Sequence, residues 1–337
     1  MKKTVFKAIS FLCALATCFS VLCACQQETD DPAVETQASG LHTVTFNSNG
    51  GTPIASIDVP NDQKISEPEP PTRENHIFHC WENNGDRWFF EIKKVTSSIS
   101  LDAVWIPAQD VFNIESTDNP NEILITGFRT QKELNTITVP EVINGKTVIG
   151  FTDGAFEEIH DSYAKKIIIP KTATKIGKNA FAKINTVHIE FLGAVNSLSE
   201  SSFEKCEHLE SITLGEGLTT IPYRCFFGDS ALEVIDIPKG VTKIEENAFS
   251  GCSSLSSMFL PSSLTIIEDA AFEGAFEHAR SKEIIYEGSK EDFENIDIAQ
   301  NNEELLSATI YYYSEKKPSE EGNFWYYDKN NNPTLWD

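Results

Sequence analysis

Positive charge is scarce in this sequence of 337 residues: 27 lysines and arginines stand against 51 aspartates and glutamates, a formal net charge of −24. A chain this acidic is repelled by nucleic acid and by anionic lipid headgroups, so neither is an expected partner. Catalytic signatures are missing as well: there is no nucleophile elbow, no phosphate-cradling glycine loop, no HExxH and no paired-carboxylate motif. The serines at 253, 254, 256 and 257 fall at positions that rotate to solvent. Beyond residue 25 the only cysteines are Cys80, Cys206, Cys225 and Cys252, with no Cys-x-x-Cys spacing. His76, His79 and Cys80 offer three donors but no fourth ligand, and read as exposed histidines beside a half-buried thiol. Asp328-x-Asn330-x-Asn332 begins like a calcium loop, but Pro333 takes the glycine position and the segment reads as a turn. Metal, cofactor and enzyme activity are therefore not expected.

What is present begins with a processing signal. Lys2, Lys3 and Lys7 flank the start of an apolar run, residues 5–24, that ends Leu22-Cys23-Ala24-Cys25. This ending resembles the lipobox of bacterial lipoproteins. The resemblance implies that residues 1–24 are removed and that Cys25 receives lipid as the new N-terminus, attaching the protein to a membrane. Stable anchoring needs more than one acyl chain. Residues 25–40 are polar and poor in large apolar groups, and read as a disordered tether.

A repeat organises the rest. Phe156, Phe181, Phe203, Phe226, Phe249 and Phe272 are spaced 25, 22, 23, 23 and 23 residues apart. A small residue precedes each of them: Ala155, Ala180, Ser202, Cys225, Ala248 and Ala271. Around Phe249 the unit reads Ile244-x-x-x-Ala248-Phe249-x-x-Cys252-x-x-Leu255-x-x-Met258-x-Leu260-Pro261. A unit this short cannot bury its own apolar side, so the units must stack into a solenoid, with the phenylalanines in one column. The segment before each proline (Pro140, Pro170, Pro238, Pro261) reads as a short strand that the proline ends. The Asn-Ala-Phe segments at Asn179 and Asn247 read as single capped helical turns. Cys206 and Cys252 lie in one column two turns apart, roughly 9–10 Å at the spacing of strands, beyond disulfide reach. They are expected to be buried free thiols.

These residues resemble the BspA-like leucine-rich repeat family of bacterial surface proteins, as does the aromatic tail from Ile310-Tyr311-Tyr312-Tyr313 to Phe324-Trp325-Tyr326. Leu192 and Gly215 depart from the pattern where proline is expected, Asp229 replaces cysteine, and an insertion follows Phe272. Residues 41–106 form a separate module. Phe46-Asn47-x-Asn49-Gly50-Gly51 at its start and Ala103-Val104-Trp105 at its end resemble the internalin-type B repeat, a small β-grasp domain. Cys80 stands where that family usually has glycine. The expected fold is mainly β: a leucine-rich repeat solenoid of about six turns of ~23 residues over 135–310, preceded by the β-grasp domain. Residues 107–134 read as a connector and a hairpin capping the first turn, and 311–337 as an aromatic cap on the last.

The family resemblance implies a surface-displayed adhesion protein, anchored outside the cytoplasm, whose ligand is a protein or a glycan. A glycan-capture accessory serving a partner enzyme, or a structural component of the envelope, is the alternative. Side chains alternate across a strand, so the residue between the last two inward positions of each turn must point outward. That row is Ile168, Glu190, Thr213, Asp236 and Phe259, and the expected binding surface comprises Glu190, Thr213, Asp236 and Phe259. The aromatic tail is a rival platform for stacking sugars.

Overall fold

The computed structural model describes residues 40–129, 134–157, 164–319, 321–330 and 332–336. Cys25 and the segments 1–24 and 25–39 lie outside the described residues.

The N-terminal module is a five-stranded mixed sheet in the order Ile57–Pro60, Leu41–Asn47, Ile99–Pro107, His76–Asn83, Asp86–Arg87. Its first strand runs parallel to Ile99–Pro107, and the long connection between them contains no α-helix. Val44, Phe46, Trp81 and Leu101 fill its core, with Phe46 set edge-on to Trp81 at 5.1 Å. The two ends of the motif meet in one contact. Trp105 donates its indole N–H to the Ser48 carbonyl (3.1 Å), and its ring covers Gly51, where a Cβ would fall 2.5 Å from the ring. Only glycine fits there. Cys80 is 5% exposed, more buried than its sequence context suggests. The ladder to Ile99–Pro107 carries an irregularity between Phe78 and Cys80.

The hairpin Phe112–Ser116 with Glu122–Phe128 follows, and its second strand pairs in parallel with Lys146–Phe151 of the solenoid. It supplies Phe112, whose ring stacks on Phe156 at 6.0 Å and 8°. The open end of the phenylalanine column is thereby closed.

The solenoid is a stack of parallel strands. Thr136–Thr138, Ala164–Ile169, Thr186–Phe191, Ser211–Thr213, Val234–Asp236, Ser257–Leu260, Glu283–Tyr286 and Thr309–Tyr313 neighbour one another in chain order and bound seven turns. The stack continues past the last marker phenylalanine. After Phe272 the inserted chain forms two short helices, Lys290–Glu294 and Glu303–Leu306, while its strands keep the ladder. Ile167, Ile189, Ile212, Ile235, Met258 and Ile284 are register partners from strand to strand and point inward, each at most 2% exposed. On the opposite wall two-residue strands such as Lys243–Ile244 and Ile266–Ile267 pair in the same way.

The marker phenylalanines are all fully buried. From Phe181 to Phe272 their rings stack at 5.2–5.4 Å and within 13° of parallel. The small residue before each one has a mechanical reason. The Phe226 N–H donates to the Ala248 carbonyl (2.8 Å) and the Phe249 N–H to the Ala271 carbonyl (2.8 Å), so backbones of successive turns touch here. The expectation of capped helical turns is corrected. These segments are hydrogen-bonded turns in which Asn179 (φ 54°) and Asn247 (φ 59°) are left-handed, a conformation asparagine tolerates better than most residues. Arg224 and Ala270 take the same conformation in their own turns.

The departures from the repeat pattern also have local causes. A Cβ on Gly215 would lie 1.8 Å from the Gly193 carbonyl oxygen, so two turns approach through their glycines. Asp229 is fully buried in the cysteine column and accepts from the Cys206 N–H through Oδ1 (2.8 Å). Cys80, Cys206, Cys225 and Cys252 are all free. The Cys206 and Cys252 thiols each donate to a phenylalanine carbonyl of the preceding turn (3.1 Å), and burial pushes their pKa well up. They behave as small apolar groups with a weak donor.

Candidate functional site

The outer face of the parallel sheet carries two rows of side chains. One row follows the register Thr138, Ile168, Glu190, Thr213, then Asp236, Phe259, Ile285, Tyr311. The other, two residues earlier on each strand, is Thr136, Lys166, His188, Ser211, Val234, Ser257, Glu283, Thr309. Ile168, Glu190, Thr213, Asp236 and Phe259 all point outward and are partly exposed. The face divides into three parts.

The first part is covered by the N-terminal module, whose strand His76–Asn83 packs against Thr136–Thr138. Asn75 Oδ1 accepts from the Asn144 N–H (2.7 Å), and Lys165 approaches Glu91 at 3.6 Å. A cleft of about 180 Å³ remains beside this contact, lined by Glu67, Arg87, Trp88, Phe89, Asn135 and Lys165. Burial raises the Glu67 pKa there. The cleft mixes both signs of charge. Glu190 belongs to this end: Lys166 reaches it at 2.9 Å and Glu69 of the module at 3.9 Å. Sequence alternation finds Glu190, but not that its charge is already met.

The far part is an aromatic cluster. Strand Phe324–Tyr327 extends the sheet beside Thr309–Tyr313 and turns back antiparallel through Pro333–Leu335. Trp325 is fully buried and donates its indole N–H to the Tyr286 carbonyl (2.8 Å). Phe259, Tyr311, Tyr313, Tyr327 and Leu335 pack around Trp325 and Ile285. Phe259 meets Trp325 edge-on at 6.2 Å, so it is anchored on one side and open on the other. Lys239 bonds to Glu287 (2.5 Å) and sits 5.7 Å above the Tyr327 ring. Tyr326 and Trp336 stack on each other at 3.9 Å, each occupying one face of the other.

Between these lies a polar patch on three adjacent strands: Asp236, Ser257 and Glu283. Asp236 is the register partner of Phe259, and Ser257 of Glu283. Asp236 Oδ1, Ser257 Oγ and Glu283 Oε2 have no hydrogen-bond partner among the described residues. Ser253 and Ser257 are 8% and 5% exposed, which corrects the expectation that these serines rotate to solvent. Burial alone pushes the Asp236 carboxyl up to about 6 and raises Glu283 as well. Burial, and next the Glu283 charge, raises the Tyr311 pKa. Thr213 completes the row toward Glu190 and is partly exposed. Sequence reasoning reached Asp236 and Phe259 by strand alternation. It missed Ser257 and Glu283, which the same alternation places two residues earlier on their strands.

Among the described residues no group of three or more His, Cys, Asp or Glu side chains could hold a metal ion. The arrangement offers surface for binding; on it Ser211 Oγ and His188 Nδ1 lie 2.8 Å apart as register partners, in an exposed contact.

Residues 151–278 match the BspA type leucine rich repeat region in six copies, and residues 42–104 match the Listeria-Bacteroides repeat domain. The stacked turns over residues 151–278 are thus of leucine-rich repeat type. A putative membrane protein of Evansella cellulosilytica is 35% identical over 68 residues, 19% of this chain and 10% of that protein. A putative Gly-rich membrane protein of the same organism is 34% identical over 68 residues, covering 19% and 8%. The chain spans about a tenth of the length of these curated relatives. A leucine-rich repeat protein of T. pallidum aligns at 23% identity and a TM-score of 0.47, over 53% of this chain and 86% of that one. A leucine rich cell surface protein from Faecalibacterium prausnitzii aligns at 25% identity and a TM-score of 0.39, over 57% and 42%.

Proposed function

We propose that this chain is a non-catalytic binding protein, displayed outside the cytoplasm, that engages a macromolecular ligand through the outer face of its repeat sheet. One observation carries the reading: the inward column is apolar in every turn, whereas the outward row changes chemistry from Glu190 through Thr213 and Asp236 to Phe259. Such a row is not needed to stack the turns, and open sheets of solenoids are surfaces on which a partner can lie. The BspA-type repeat over 151–278 supports the same class. No helix among the described residues is long and apolar enough to cross a membrane. Attachment through lipid on Cys25 rests on the sequence Leu22-Cys23-Ala24-Cys25 alone.

The test is a pull-down with the protein lacking residues 1–25, compared with the variant Glu190→Gln, Thr213→Ala, Asp236→Asn, Phe259→Ser. Partner capture is expected to fall sharply while the variant stays folded, losing no more stability than the Phe259–Trp325 contact supplies. Unchanged capture by a folded variant moves the site elsewhere, with the aromatic tail next in line.

A further inference from the structure

We infer that the patch formed by Asp236, Ser257, Glu283, Phe259 and Tyr311 is a subsite for the basic side chains of a protein partner, receiving lysine or arginine from an extended segment laid across the sheet. This rests on the binding face proposed above and assigns its chemistry.

The argument starts from the charges. On this face the lysines are already matched: Lys166 to Glu190 and Lys239 to Glu287. Asp236 and Glu283 have no cation within ion-pair distance among the described residues, and each has an oxygen cut off from water without a donor. A carboxylate taken out of water without a partner is unfavourable, and a cation brought to it recovers the lost interaction. Ser257, more than nine-tenths buried, adds a hydroxyl with no partner at the centre of the same patch. Three unsatisfied polar groups on three neighbouring strands point to a ligand group absent from the chain itself.

The walls specify its kind. Phe259 is the register partner of Asp236, and Tyr311 lies on the strand next to Glu283, two residues beyond its partner Thr309 on the same outward face. Aromatic faces next to carboxylates favour ammonium and guanidinium groups, which gain both cation–π and charge interactions. A neutral saccharide would leave the carboxylates without a counter-charge. Size also counts. Asp236 and Glu283 are two strands and two residues apart, roughly 11–12 Å between Cα atoms from strand spacing and rise. One small cation cannot reach both. Two basic side chains on an extended segment can, because alternate residues project to one side about 6.6 Å apart on flexible stems. The face is open, so a peptide that covers several strands gains area that a lone amine would not. With a net charge of −24 the chain also attracts a basic partner over distance.

The experiment measures binding of a fluorescent tetralysine peptide to the protein lacking residues 1–25, at low and physiological salt, by anisotropy. The same peptide with acetylated lysines and a neutral chito-oligosaccharide are run in parallel. Asp236→Asn with Glu283→Gln is expected to weaken tetralysine binding by about tenfold or more. Removing the same charge at two exposed positions elsewhere, Glu207→Gln with Glu277→Gln, should change it less than about twofold, since only general attraction is lost. Equal weakening by the two double variants overturns the subsite, leaving diffuse charge attraction. Acetylated peptide binding as well as the free one overturns it without any variant. Saccharide binding that Phe259→Ser abolishes, with no tetralysine binding, replaces it with a glycan platform. If tetralysine binding is indifferent to the patch while partner capture still falls in the quadruple variant, the cation assignment fails and the binding-face reading stands.

Discussion

Phe249 tests the architecture most directly. Its ring is fully buried between Phe226 at 5.2 Å and Phe272 at 5.3 Å, tilted by 11° and 13°. Phe249→Ala removes a large apolar side chain from a site whose neighbours are held by backbone bonds between turns. Collapse into the space is therefore limited. Truncating a buried phenylalanine costs about 3–5 kcal/mol. Losing two aromatic contacts, each worth about 0.5–1.5 kcal/mol beyond area, places this one in the upper half of that range. Against a total stability of about 5–15 kcal/mol the loss is large.

In a stack the damage should also travel. The Phe226 and Phe249 amides donate to the following turn, so their exchange protection should fall together with that of the Phe203 amide, which donates to Cys225. Urea denaturation followed by circular dichroism gives the magnitude, and amide hydrogen exchange gives the spread. Ile92→Ala is the control: Ile92 is 73% exposed, and its loss should change stability by less than about 0.5 kcal/mol. A Phe249→Ala curve that overlays wild type would refute the stacked register. Loss of protection confined to one turn would refute coupling between turns.

Two further predictions concern charge and anchoring. Burial pushes the Asp229 carboxyl well above its ordinary value in the folded state, and the Cys206, Cys225 and Cys252 thiols and Glu204 lie around it. The folded chain then holds this proton more tightly than the unfolded one. Its contribution to stability is greatest at or below the unfolded pKa near 3.8 and is lost as pH rises toward the folded value, by up to about 1.4 kcal/mol per pH unit. Asp229→Asn keeps an oxygen for the Cys206 N–H and cannot ionise, so the stability difference, variant minus wild type, should grow between pH 4 and 7. A difference that stays flat across that range would sink the assignment. For anchoring, Cys25→Ser should abolish incorporation of a palmitate analogue in bacterial cells and release the protein or leave it unprocessed. Equal labelling of the variant would rule out lipid at Cys25.

The repeat and its inward and outward faces were legible because they depend on period alone. Phenylalanines recurring every 22–25 residues fix the column, and alternation along Val234–Asp236 fixes that Ile235 points in and Asp236 out. Partners contributed by distant chain were not legible. Nothing near Glu190 in sequence announces Lys166 as its cation, because strand pairing brings them together although they are 24 positions apart. The fold-back that buries Trp325 against Ile285 depends on a hairpin whose aromatic residues read equally well as an exposed cap. Asn179 and Asn247 were misassigned as caps because asparagine serves both an N-cap and a left-handed turn, and only the dihedral separates them.

The same geometry explains how a repeat solenoid separates stability from recognition, and where in this chain the separation fails. Inward positions are tied to two neighbours each. Replacing Ile235 disturbs Ile212 and Met258, so the column stays aliphatic from Ile167 to Ile284. An outward residue without a side-chain partner is tied to the fold only through its backbone, which every residue but proline can pair. Thr213 can therefore change at little cost to the stack. Glu190, paired with Lys166, and Phe259 are held more firmly; the edge of Phe259 rests on Trp325, and Trp325 in turn bonds to the Tyr286 carbonyl. A substitution at Phe259 alters both an outward-facing ring and the support of the last strands. Asp236 has no such second duty: its side chain holds no hydrogen bond to the chain through Oδ1, and its burial opposes folding when charged. Asp236→Asn should hold or raise the melting temperature while altering binding. That combination is what the proposed binding face expects of Asp236.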